Sequence, residues 1–227
     1  MIRQYCHWVI ALVSIAGAIH AGDSDKPAAP PDGATVLFDG KDTSAFVAKK
    51  GGGPCPWKIV DGAIESGTDD IVTKEKYKDF KMHAEFWIPK YPPEVTGQNR
   101  GNSGIKLQER YEIQVLDSYG LTPGKQDCAA VYLQKPPDKN MCTPPETWQT
   151  YDITFKAARY GDDKKKTENA RVTVIHNGTK VQDDVEITGK TGASAPEGPD
   201  AAPLLLQWHH CPVRFRNVWI LPVTEKK

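Results

Sequence analysis

Residues 99–118, NRGNSGIKLQERYEIQVLDS, constrain the fold more than any other stretch of the chain. Two runs, 103–108 and 111–116, alternate apolar and polar residues and are separated only by Glu109-Arg110. Alternation at period 2 marks a half-buried strand, and two such runs around a short polar break make a hairpin. Successive side chains leave a strand on opposite faces. Ile105, Leu107, Ile113 and Val115 therefore point into a core, and Lys106, Gln108, Glu112 and Gln114 point away from it. A merely solvated face needs charge but no particular arrangement. A sugar-binding groove needs fixed donors and acceptors, with a carboxylate for chemistry.

From residue 36 onward, short apolar or alternating runs recur at 57–60, 81–88, 129–133, 151–156, 170–176, 204–207 and 213–221, punctuated by Gly, Pro and Asn. Such spacing predicts a sandwich or barrel. No helical period persists, although 74–79 offers one turn of helix. His176-Asn177-Gly178-Thr179 is a hairpin turn, because Asn-Gly tolerates the positive φ of a type I′ turn. Asn177-Gly178-Thr179 also matches a glycosylation sequon, but the turn alone accounts for it. The Gly- and Pro-rich segments 96–101 and 188–203 flank these strands and are expected to wall a groove over one sheet. The second is long enough to be mobile. Trp57, Trp87, Trp148 and Trp219 are mostly core candidates, and so is Trp208 by strand parity.

The N-terminus reads differently. Arg3 precedes an apolar run from 8 to 19, and Ala16-Gly17-Ala18 or Ala21 offers small-residue cleavage positions, the pattern of a secretory signal peptide over 1–21. A Pro- and Ala-rich linker over 22–34 leads to one domain over 35–227. The mature chain is expected to be secreted or periplasmic, with no membrane span. With 29 basic and 29 acidic residues the full chain carries no footprint for nucleic acid. Export and an even count of mature cysteines favour disulfides. Cys128 and Cys142 bracket one loop-rich segment and are the preferred pair, which leaves Cys55 for Cys211. Thiolate ligation of zinc lacks the C-x₂-C spacing.

Several segments together carry a resemblance. GNSGI (101–105) and RYEIQVLDSYG (110–120) are similar to the central motif of the 3-keto-disaccharide hydrolase family. LFDG (37–40), WKIVDG (57–62), Asp79-Phe80, WQTYDI (148–153), His176-Asn177-Gly178 and FRNVW (215–219) extend the resemblance to the end of the chain. It implies an all-β fold, the concanavalin A-like lectin/glucanase β-sandwich or jelly roll. It also implies substrates that are glycosides oxidised to a ketone at carbon 3. The ketone acidifies the hydrogen at carbon 2, so the glycosidic bond can leave by elimination before water adds back.

The candidate site residues follow from both lines. Glycosidases on such sandwiches commonly use an E-x-D-x-x-E strand, whereas this chain has Glu112, Gln114 and Asp117 at those positions. Gln114 cannot serve as a carboxylate, and Asp117 reaches the groove only through a bulge. A conventional pair of catalytic carboxylates is therefore disfavoured, and elimination needs only one base and donors for the enolate. Glu112 is the first candidate base. The family pattern Gln-Asp-His-Gly stands here as Gln207-Trp208-His209-His210, so Gln207 and His209 match. His209 is the second candidate, since imidazoles titrate near neutral pH. Asn102, Lys106, Gln108, Gln114, Asp117 and Gln207 are candidate substrate contacts. The cofactor is open: a divalent metal held by Glu112, His209 and His210 is one option, which spacing does not support, because adjacent histidines point to opposite faces of a strand unless the strand ends there. The competing reading is a non-catalytic carbohydrate-binding module on the same fold, which would show a shallow aromatic platform.

Overall fold

The computed structural model describes residues 29–223, so the expected signal peptide and the first part of the linker lie outside the described residues. The strands run, in chain order, β1 (Thr35–Phe38), β2 (Phe46–Ala48), β3 (Lys58–Val60), β4 (Ala63–Glu65), β5 (Ile71–Thr73), β6 (Phe80–Trp87), β7 (Ser103–Leu107), β8 (Tyr111–Val115), β9 (Gln149–Lys156), β10 (Arg159–Tyr160), β11 (Lys166–Glu168), β12 (Ala170–His176), β13 (Thr179–Ile187), β14 (Leu205–Leu206) and β15 (Arg214–Pro222). The larger sheet has the order β13-β12-β9-β6-β15-β4-β3, with β1 also paired to β15. The smaller sheet has the order β2-β5-β14-β7-β8, and β10-β11 forms a separate ribbon. All pairings are antiparallel.

Alternation decides what lies between the sheets. In β6 and β9, Phe80, Met82, Ala84 and Phe86 face the core opposite Phe155, Ile153, Tyr151 and Gln149. Ile105, Leu107, Ile113 and Val115 cover them from the smaller sheet, and all four are fully buried. Tyr111 and Phe155 meet across the gap with ring centroids 5.6 Å apart, and Tyr151 Oη donates to Gln114 O at 2.7 Å. Two antiparallel sheets around one apolar layer make the sandwich that the strand spacing allows, the concanavalin-like fold that the family resemblance implies.

The central hairpin has the expected register, Ser103 to Val115, Ile105 to Ile113 and Lys106 to Glu112. Its turn is shifted by one residue. Gln108 and Glu109 take the left-handed conformation (φ 55° and 56°), and Arg110 N–H donates to Leu107 O at 3.1 Å, the requirement of a type I′ turn. The Asn177-Gly178 turn has φ 48° and 76° between paired His176 and Thr179. The Asn177 side chain donates to Met141 O (2.8 Å) and accepts the Thr150 N–H (2.8 Å), so its amide is built into the fold.

Four expectations change. Residues 74–79 form no helix, because the Tyr77 and Ala202 backbones exchange hydrogen bonds at 3.0 and 3.2 Å. Of the four tryptophans named as core, only Trp57 is buried, stacked on Phe215. Trp87, Trp148 and Trp219 lie half-buried on the outer face of the larger sheet under Arg214, Arg216 and His83, which supply cation–π or stacking partners. Segment 188–203 is tied down rather than loose. Arg110, itself buried, donates to the carbonyls of Pro196, Gly198 and Asp200 at 2.9–3.1 Å. Finally, Cys55, Cys128, Cys142 and Cys211 are all free thiols, with no pair at disulfide distance.

Candidate active site

The polar face of the β7–β8 hairpin is buried under loops. Beyond the β8 edge, Tyr132 N–H donates to Glu112 O (3.1 Å) and Gln114 N–H donates to Ala130 O (3.1 Å). Glu112 N–H donates to Thr191 Oγ1 at 2.8 Å. The segments 128–135 and 188–195 are thereby docked on β8, and between them lies a cavity of about 280 Å³. Gln98, Asn102, Lys106, Glu112, Tyr132, Gly192, Gln207 and His209 contribute to its lining. A larger cleft of about 510 Å³ beside Lys166, Arg171 and Glu186 has no buried charged group in its wall.

Lys106 and Glu112 are cross-strand partners, with Nζ 3.6 Å from Oε2 and both side chains almost fully buried. Burial pushes the Glu112 carboxyl above its ordinary value, Lys106 pulls it back, and the charge on Asp70 adds to the rise. The Gln114 amide, oriented so that its nitrogen meets acceptors, donates to Glu112 Oε1 (3.0 Å) and Ser103 O (3.1 Å). Gly104 makes room for this carboxylate. A Cβ at that position would stand 2.7 Å from Glu112 Oε1 and 3.0 Å from its Cγ. Opposite, Gly192 (φ 46°) lets the loop lie against Tyr132, where a Cβ would meet the ring at 3.2 Å.

Of the candidate residues, the structure gathers Asn102, Lys106, Glu112, Gln207 and His209 around one cavity. Gln207 Oε1 is buried there with no hydrogen-bond partner. His209 is exposed at the site. Gln114 stands behind Glu112 rather than in the lining. Gln108 and Asp117 lie elsewhere. Gln108 donates to Tyr77 O (2.9 Å) and accepts from Arg110 (3.1 Å), which holds the hairpin turn. Asp117 is paired with Arg100, whose Nε lies at 3.1 Å, and accepts the Tyr119 N–H at 3.2 Å. His210 has φ 60° and packs on Trp208 with ring centroids 4.3 Å apart, and Trp208 packs on the core. Among the described residues, no convergence of three metal-ligand atoms includes Glu112, His209 or His210.

Sequence reasoning missed Gln98, Tyr132, Thr191, Gly192 and Arg110, which come from loops whose approach no strand periodicity encodes. Gly104 was legible, since it shares the parity of Lys106 and pairs with Gln114.

Residues 33–221 match the 3-keto-alpha-glucoside-1,2-lyase-like domain. The chain belongs to this family. Its members' fold is also seen in a crystal structure of a proposed glycosyl hydrolase from Parabacteroides distasonis ATCC 8503, 35% identical, with a TM-score of 0.76 over 92% of this chain and 98% of that one. Two further proposed glycosyl hydrolases from the same organism, 24% and 21% identical, superpose with TM-scores of 0.63 and 0.59. They cover 88% and 84% of this chain and 100% and 99% of their own, and at that identity they speak for the fold alone. No curated protein matches the chain. Family and neighbours together place the domain among carbohydrate-active proteins.

Proposed function

We propose that this domain cleaves 3-keto-glycosides outside the cytoplasm, by proton abstraction at carbon 2, elimination and hydration. The observation that carries the reading is the buried Glu112 carboxylate beside the Lys106 ammonium in a sugar-sized polar cavity. Glu112 takes the carbon-2 proton. Lys106, with Asn102 nearby, donates to the carbon-3 oxygen as it gains enolate charge, and the low-dielectric wall strengthens that interaction. The bond from carbon 1 to the glycosidic oxygen then breaks, and His209 at the exposed side gives the leaving oxygen its proton. Water adds to carbon 1 of the resulting enone, Glu112 exchanges its proton with solvent and then protonates carbon 2, and the water proton goes to His209. Atoms and charge balance over the cycle without an oxidant or a nucleophilic carboxylate.

Two features favour this over displacement. Asp117 is held by Arg100 outside the cavity, and Gln114 uses its amide to orient Glu112. The site thus presents one acid, where a glycosidase of the conventional kind requires two. A binding module is disfavoured because, among the described residues, Tyr132 is the only aromatic besides His209 in the lining, which gives no flat stacking platform there. The test is incubation of the purified protein with a 3-keto-glucoside and with its unoxidised parent in D₂O. Release of the aglycone from the ketone alone, with deuterium at carbon 2 of the sugar product, is expected. A general base contributes about 10²–10⁴ in rate, so Glu112→Gln should lower kcat/KM by that factor. Cleavage of the unoxidised parent, or an active Glu112→Gln variant, overturns the proposal.

A further inference from the structure

The free thiols of Cys128 and Cys142 come together with the imidazole of His176, none of which lines the Glu112 cavity or is used by the reaction above. Their ligand atoms all lie within 4.8 Å of one another. Two separate parts of the chain supply them: the long β8–β9 connection, which carries both cysteines fourteen residues apart, and the last residue of β12. Cys128 and His176 are 3% and 1% exposed, and Cys142 is half-buried, which leaves an approach from solvent.

The hydrogen bonds identify one nitrogen as available. His176 Nε2 meets Gln149 Oε1 at 3.0 Å, and an amide oxygen only accepts, so Nε2 carries the proton. Nδ1 is therefore a bare lone pair, fully buried and without a partner. A buried acceptor left unsatisfied destabilises the fold unless something binds to it. Tyr151 Oη spends its proton on Gln114 O at 2.7 Å, so at 3.0 Å it accepts the Cys128 S–H. A buried, unpaired imidazole nitrogen thus belongs to a residue clustered with two free thiols. The Gln149 contact is also the outer partner that metal-bound histidines usually have.

We propose that Cys128, Cys142 and His176 bind a zinc ion. Two thiolates cancel the charge of Zn²⁺ and the imidazole adds none, so the occupied site is neutral and suits burial. Binding releases the two thiol protons to solvent. At Zn–S bonds of about 2.3 Å and a tetrahedral angle, sulfurs stand roughly 3.8 Å apart, so the side chains close in by no more than about 1 Å. Water completes the tetrahedron on the side of Cys142. The ion would act structurally, by fastening residues 128–142 to the end of β12. Tyr132, which lines the Glu112 cavity, belongs to that segment.

The test uses the full chain purified without chelators, its metal content measured by mass spectrometry, and the stripped protein titrated with Co²⁺. One zinc per chain and a thiolate-to-cobalt charge-transfer band in the near ultraviolet are expected. Cys142→Ser and His176→Gln should each weaken Zn²⁺ binding more than about a hundredfold, beyond the effect of losing an outer partner. Cys55→Ser should leave it unchanged. Cys142 is the half-buried ligand, so its variant remains informative should His176→Gln fail to fold. A Cys128–Cys142 disulfide found by peptide mapping of the native protein, or a cobalt spectrum without the thiolate band, overturns the proposal.

Discussion

Replacing Lys106 by methionine tests the electrostatics of the candidate site most directly. The long apolar stem is kept and only the charge is lost. At 3.6 Å and an effective dielectric of about 20, the pair attracts by about 4–5 kcal/mol. Without Lys106, Glu112 either remains charged at that cost or takes a proton. Protonation costs about 1.4 kcal/mol for each pH unit above the ordinary value of 4.5. That is about 0.7 kcal/mol at pH 5 and about 3.4 kcal/mol at pH 7. The cheaper route sets the penalty, and removal of a buried ammonium offsets part of it. We expect Lys106→Met to lose under about 1 kcal/mol at pH 5 and about 2–3 kcal/mol at pH 7 and above. The sign follows from the raised carboxyl, whose destabilisation grows as pH climbs from its unfolded value through its folded one. Urea unfolding of wild type, Lys106→Met, Glu112→Gln and the double variant at pH 5, 7 and 8 measures this. The double variant should recover most of the loss at pH 7, since no unpaired charge remains. In the same single variant the acid limb of kcat/KM should move to higher pH. An equal loss at pH 5 and pH 8 would show that packing, not charge, sets the cost and would refute the argument.

Three further outcomes follow from particular contacts. Burial alone would lower His83, but hydrogen bonding to Asp152 (2.7 Å) and the nearby Glu85 raise it to about 9. Its contribution is therefore complete below about pH 6.5 and lost as pH rises through about 9, worth about 1–2 kcal/mol once screening at half-exposed Asp152 is allowed for. Thermal melts of wild type and His83→Gln should differ at pH 6 and converge near pH 10, and a constant difference would discount the ion pair. Gly104→Ala should displace the Glu112 carboxylate and lower kcat/KM at least about tenfold while the circular dichroism stays native, and wild-type activity would show that the carboxylate has room to shift. Arg110→Met should free three loop carbonyls and speed proteolysis within 191–200, an effect that unchanged digestion would deny.

What could be read from sequence was whatever strand periodicity encodes. The hairpin register, the faces of Ile105, Lys106, Glu112 and Ile113, and the Asn177-Gly178 turn all follow from local rules. The Gln207–His209 parity also held, although β14 contains only Leu205 and Leu206. Gln108 shows the limit. Period 2 places it on the polar face, but it falls in the turn, where its left-handed backbone turns the amide toward Tyr77 O. Asp117 was ambiguous because a bulge would have reversed its face, and Arg100, seventeen residues earlier, instead fixes it outside the cavity.

The tryptophans and cysteines fail as sequence signals for a common reason: their partners are remote and polar. An indole reads as core because its area is large, yet an arginine stacked on it makes a sheet surface equally habitable. Arg216 over Trp148 at 4.1 Å and Arg214 over Trp87 at 5.0 Å do this on the outer face. The thiols read as disulfides because export and an even count are all a sequence shows of them. The third member of their cluster, His176, was read only as the first residue of a turn. It sits at the strand end because the turn ends β12 there, and that end lies against the β8–β9 connection that carries Cys128 and Cys142. A spacing rule built on C-x₂-C finds ligands that share a local loop. It cannot find ligands that a sandwich gathers from distant points of one long connection and from the end of a strand far along the chain.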